Sequence, residues 1–145
     1  MNSLYEEMNT FLADQLVLSM KIHNIHWFMK GQGFFPIHEK MDDYYDEAQE
    51  RIDAVAERLL TIGAKPIGNL KEVTERSSIE ELGNDYITAV DGFKKLIVDF
   101  EHMNQLALHI VKLAEELGDP GTADYFTGVS QDLGKDLWMM NAYIK

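Results

Sequence analysis

The sequence predicts a single all-α domain, a four-helix bundle with a long crossover connection carrying a short helix between the second and third helices. Three observations predict it. Apolar residues recur at helical spacing through four long stretches. The breaks between those stretches fall at Gly and Pro. One intervening segment alone is too long for a minimal bundle loop, which matches the crossover type of bundle. A chain of 145 residues suffices for one good core, and it shows no internal repeat, heptad run or low-complexity tract.

Ser3-Leu-Tyr-Glu6 reads as a capping box that opens the first helix. Leu4, Met8, Phe11, Leu12, Leu16, Met20 and His23 then recur at helical spacing as far as Met29, and Lys30-Gly-Gln-Gly33 stops the helix. Pro36 suits the first turn of the second helix and Gly63 its C-terminal cap. Lys65-Pro66 through Gly83 reads as the crossover, with its short helix over Leu70 to Glu75. A third long helix runs from Asn84 or Asp85 to Leu117 and ends at Gly118. Asp119 is the N-cap candidate for the fourth, with Pro120 near its first position, and that helix extends to about Ala142.

Composition narrows the classes of function. There are 25 acidic against 13 basic residues, for a net charge of −12. The usual reading is a solvated acidic surface; summed over an assembly of many chains, this charge would gather cations and repel phosphate backbones. Lys21, Lys30, Lys94 and Lys95 are scattered and no basic arm is present, so tight DNA binding is not expected. No cationic leader precedes an apolar stretch, and no apolar run is long enough to span a bilayer. With no cysteine, disulfides and thiolate metal sites are excluded. The expected place is the cytoplasm, without a membrane partner.

The chemistry concentrates between His26 and Glu57. His26, His38, Asp42, Asp53 and Glu57 are hard or borderline metal ligands that suit Fe(II), Mn(II) or Zn(II). His38 and Asp42 are four apart, as are Asp53 and Glu57, so each pair shares a helix face. From Asp42 to Asp53 the face rotates by only about 20°, which places both pairs on one stripe. Along the axis, however, Asp42 and Asp53 are separated by roughly 16 Å, and His38 and Glu57 by about 28 Å. Ligand bonds to such ions are only about 2.0–2.2 Å long. One copy of this helix cannot close both pairs on one ion. Two antiparallel copies about a two-fold axis can. The register that sets His38 against Glu57 of the partner subunit also sets Asp42 against Asp53 of the partner subunit. The axis would pass near Glu47 and Ala48, where the small Ala48 side chain would permit close approach. The expectation is an isologous dimer with equivalent metal sites shared between its chains.

The motifs His-Trp-x-x-x-Gly (His26 to Gly31), Phe-x-x-x-His-x-x-x-Asp (Phe34 to Asp42) and Asp-x-x-x-Glu-Arg (Asp53 to Arg58) resemble the signature of the Dps family. These are the DNA-protection-during-starvation proteins, or miniferritins. The resemblance extends through Gly63-x-Lys-Pro, Ser77-Ser78, Thr122-Ala123-Asp124 and Leu137-Trp138 over nearly the whole chain. It implies a ferritin-like bundle and a hollow dodecamer built from two-fold dimers. It also implies interface ferroxidase sites that oxidise Fe(II), preferably with hydrogen peroxide, and mineral storage of Fe(III) that protects against oxidative damage. His26, His38 and Asp42 of one subunit would face Asp53 and Glu57 of the other, with Zn2+ or Mn2+ as alternatives to iron. Trp27 would sit beside this site and quench oxidising equivalents, although by itself it reads, like Trp138, as a core residue. Glu116, Asp119 and Asp124 would line three-fold pores, Asp119 having helix capping as its competing role. Asp43, Asp46, Glu47 and Glu50 form a neighbouring stripe. It is solvated by default, and would seed mineral if it faces the cage interior.

The rival readings are a DNA-compacting protein and a metal-binding cage without redox activity. An intrasubunit di-iron centre is not expected, since no Glu-x-x-His occurs and the nearest pattern is Asp99-x-x-His102. His23, His102 and His109 read as structural or surface residues.

Overall fold

A computed structural model describes residues 2–145. Its elements are α1 (Asn2–Phe28), α2 (Phe34–Thr61), α3 (Leu70–Arg76), α4 (Ala89–Glu116) and α5 (Pro120–Ile144). The short α3 rides in the crossover, so four long helices form the bundle. α1 packs on α2 and α4 on α5 as hairpins, and the pairs meet chiefly where α1 crosses α4. Apolar spacing explains the faces that meet. Ile37, Met41, Tyr44, Ala48, Val55 and Leu59 of α2 are buried at intervals of one or two turns. Phe11 meets Phe126 edge-on at 5.2 Å in the middle of the core.

Helix ends follow local chemistry at most places. Gly63 and Gly118, just past α2 and α4, have φ of 90° and 72°, the left-handed region that closes helices. The Asp119 side chain accepts from the Thr122 amide and Pro120 occupies the first turn of α5. Two starts differ from expectation. α1 already includes Asn2, so Ser3 lies within the helix instead of capping it from outside. α4 begins at Ala89, not near Asn84. Thr88 caps it by accepting from the Asp91 amide. The preceding residues are held extended, because the Ile87 amide donates to the Phe28 carbonyl at 3.1 Å and the Lys30 amide to the Ile87 carbonyl at 3.0 Å.

Buried polar residues of α1 fasten the crossover. The Asn9 amide donates to the Lys65 carbonyl at 3.1 Å and its oxygen accepts from the Ile67 amide at 2.9 Å. Asp14 is fully buried and accepts from the Ser77 hydroxyl and Ser78 amide, each at 2.8 Å, with His102 Nε2 also at 2.8 Å. Lys21 pairs with Asp99 of α4 at 2.7 Å. Among the described residues, no helix is long and apolar enough to cross a membrane.

Candidate metal centre

His26 lies in the last turn of α1 and His38 near the start of α2. The turn between them depends on Gly33. Its φ is 82°, and a Cβ there would collide with the Tyr143 hydroxyl, so a side chain is opposed by both backbone and packing. The two imidazoles stack at 3.7 Å with 12° between planes. Each Nδ1 then bonds the other residue's carbonyl: His26 Nδ1 donates to His38 O at 2.7 Å and His38 Nδ1 to His26 O at 2.8 Å. A carbonyl oxygen only accepts, so both protons must sit on Nδ1. Both Nε2 lone pairs are thereby left free for a metal, with ring orientation fixed by backbone. His26 Nε2 lies 3.5 Å from Asp42 Oδ1.

Asp42, Asp53 and Glu57 are all exposed along the outward side of α2. Among the described residues, no three His, Asp or Glu side chains of the single chain come together as a metal site. His26, His38 and Asp42 are gathered at one end of the stripe, while Asp53 and Glu57 are carried away along the helix axis. Ala48 is corrected by the structure. It is 1% exposed and packs into its own protomer's core, so it cannot provide close approach on the outward face. The exposed side chains near the midpoint of that face are Asp46 and Gln49.

Rings surround the histidine pair. His23, read from sequence as structural, stacks on Tyr45 at 3.5 Å and lies 5.0 Å from Trp27. Burial lowers the His23 pKa, His26 adds to that effect, and Asp42 and Asp46 oppose it. Trp27 and Trp138 are 57% and 67% exposed, so neither is the core residue that helical spacing alone favours.

Of the residues read as pore candidates, Glu116 and Asp124 are exposed. Asp119 is already engaged. Besides capping α5, it accepts from Arg58 Nη2 at 2.8 Å and from the Thr122 hydroxyl at 2.6 Å. Burial alone would raise its pKa, but the hydrogen bonds from Thr122 and Arg58 outweigh burial and hold it below the ordinary range. Arg58 also donates to Thr122 Oγ1 at 2.9 Å, and its guanidinium lies where a Cβ on Gly121 would be.

The acidic stripe divides. Asp43, Asp46 and Glu50 are exposed, but Glu47 is half-buried, and Asp136 of α5 is the acidic neighbour that acts on its carboxyl. The Glu47 pKa is pushed up to about 8, first by burial and then by the hydrogen bond to and charge of Asp136, with Arg51 and Lys40 opposing. Glu47 is therefore only partly solvated, unlike its neighbours on the stripe. Asp136 escaped the sequence reading although a signal was present. Thr122, Phe126, Val129, Leu133, Asp136 and Met140 are all buried on α5, so a carboxylate occupies a position that the helical period reserves for the core. Glu47, Glu50, Arg51, Asp124, Tyr125 and Asp132 border a cavity of 450 Å³ between α2 and α5.

Residues 5–145 match the ferritin-like domain family. The chain is 38% identical over 140 residues to DNA protection during starvation protein 2 of Bacillus anthracis, covering 96% of this chain and 94% of that one. It superposes on Dps from Staphylococcus aureus with a TM-score of 0.95 at 32% identity, covering 100% of this chain and 97% of that one. Dps from Listeria innocua, in a crystal soaked with zinc, superposes with a TM-score of 0.93 at 38% identity, covering 97% and 95%.

Proposed function

Because this chain belongs to the Dps family of ferritin-like proteins, we propose that it is an iron-storing ferroxidase working at sites shared between two-fold-related subunits of a hollow dodecamer. The observation that carries this reading is the reciprocal histidine lock, which presents two Nε2 lone pairs beside the Asp42 carboxylate. The other ligands would be Asp53 of the partner subunit and Glu57 of the partner subunit, brought up by the antiparallel register of α2. Iron enters as substrate. Two Fe(II) ions each give one electron to one hydrogen peroxide, its O–O bond breaks, and two hydroxides and two Fe(III) result. Taking both electrons at one place avoids release of hydroxyl radical. The protein's part is to hold ligands in a fixed orientation and to leave coordination positions open.

Exposed Asp124 and Glu116 would attract the entering cation, and Asp43, Asp46 and Glu50 would hold Fe(III) as mineral begins. Zn2+ would compete for the same nitrogen and oxygen donors, in keeping with the zinc soak of the Listeria innocua relative. A DNA-compacting role is less supported, since the net charge is −12 and counterion release needs clustered cations.

The test uses Asp53→Ala with Glu57→Ala. Fe(II) is added anaerobically, then hydrogen peroxide, and Fe(III) is followed by absorbance. Loss of rapid oxidation with the fold intact is the expected outcome. Oxidation at the parent rate would refute the ligand assignment.

A further inference from the structure

We propose that Phe35 of one subunit and Leu60 of the partner subunit form an apolar clasp at each end of the paired α2 helices, holding the shared iron sites together before iron arrives. The clasp presupposes the antiparallel α2 register proposed for those sites and accounts for what fixes it, through side chains that are not ligands.

Phe35 is 78% exposed and Leu60 is 59% exposed. Both belong to the outward stripe of α2, away from the apolar residues that the helix buries in its own bundle. Phe35 to Asp53 and Asp42 to Leu60 are each about five full turns, so the two apolar side chains lie on the same lines as the two aspartates. Each also stands three residues outside a ligand, Phe35 before His38 and Leu60 beyond Glu57. The register that opposes His38 to Glu57 of the partner subunit therefore opposes Phe35 to Leu60 of the partner subunit. It also sets Asp46 against Gln49 of the partner subunit beside the axis. Both are exposed, and the amide can donate to the carboxylate. Apolar thus meets apolar, ligand meets ligand and polar meets polar along the stripe.

Other alignments lose this match. Sliding one helix by about a turn in one sense sets Phe35 against Glu57 of the partner subunit. The opposite slide sets Asp46 against Asp53 of the partner subunit, two like charges. Even in the matched register the ligands do not hold the halves together without a cation. Asp42 then faces Asp53 of the partner subunit, and each chain carries a net charge of −12. Burying Phe35 and Leu60 supplies an attraction that needs no metal. The Phe35 ring meets Phe34 edge-on at 5.4 Å, and Phe34 stacks on the His38 imidazole at 4.9 Å. Leu60 of the partner subunit would close over these rings and keep water from the outer side of the histidine pair.

The chain contains no cysteine, so Phe35→Cys/Leu60→Cys protein carries thiols at those positions alone. Within one chain they lie about 38 Å apart along α2, beyond the reach of a short bis-maleimide. Treated with that reagent in chelator, the assembled double variant should run as a covalent dimer on a denaturing gel, and each single variant as a monomer. The same bands are expected after adding Asp53→Ala/Glu57→Ala, so cross-linking and iron oxidation report separately. Absence of the covalent dimer, or its formation by either single variant, would overturn the clasp even if iron were oxidised at the parent rate. A covalent dimer that oxidises no iron would support the clasp and count against the ferroxidase reading. Leu60→Ser gives a second measurement without thiols. Metal-free Leu60→Ser protein should dissociate at concentrations at least about tenfold higher than the parent, read by sedimentation. An unchanged dissociation midpoint would overturn the proposal.

Discussion

Replacing Glu47 by Gln should change how stability depends on pH. The ordinary Glu47 value is 4.5 and the folded value about 8, so the native chain holds this proton more tightly than the unfolded chain. The stabilising contribution is fully present below the unfolded value, falls as pH rises, and is lost once pH passes the folded value. If the whole difference acted, the loss would be at most roughly 5 kcal/mol. The Glu47 side chain keeps 36% of its surface in water, so screening reduces this to on the order of 2 kcal/mol. Gln carries no titrating proton and still offers an amide donor to Asp136. Urea unfolding of parent and Glu47→Gln proteins, with chelator present and protein concentration fixed, measures the difference at pH 5 and at pH 8. The variant should gain on the parent by on the order of 2 kcal/mol between those conditions. A stability difference that moved by less than about 0.5 kcal/mol would refute a proton shared between Glu47 and Asp136.

Gly33→Ala should cost about 1–2 kcal/mol in urea unfolding, because the left-handed backbone and the Tyr143 hydroxyl both oppose a Cβ. It should also slow peroxide-driven iron oxidation, since the Gly33 turn sets His38 against His26. Asp124→Asn should slow Fe(II) entry into the assembled protein while leaving the affinity of the oxidation site nearly unchanged, and stopped-flow uptake at the parent rate would remove its entry role. Plasmid DNA should migrate unretarded at about 0.15 M salt; persistent, salt-sensitive retardation in a gel would contradict that expectation.

What the chain discloses and what it conceals divide along a physical line. Gly63, Gly118 and the Asp119-Pro120 step act on their own neighbours, so the helix ends they set are legible residue by residue. The start of α4 is not, because Ile87 is held extended by Phe28 and Lys30, almost sixty residues away. The polar side chains of α1 behave alike: nothing near Asn9 or Asp14 in sequence announces a crossover partner more than fifty residues on. The candidate centre shows both sides of this line. Spacing alone reveals that one helix cannot close its own ligands, since that is a property of helical rise. The histidine lock is hidden, because its acceptors are backbone carbonyls that every residue possesses. Asp136 lies between these cases. Its period marks it for burial and its charge marks it as costly there, and that conflict is readable without its partner. A charged residue on a core period therefore deserves the same search for a counter-charge that a ligand spacing receives. In this chain the search meets a like charge instead, since Glu47 of α2 is half-buried and Asp136 helps to raise its pKa.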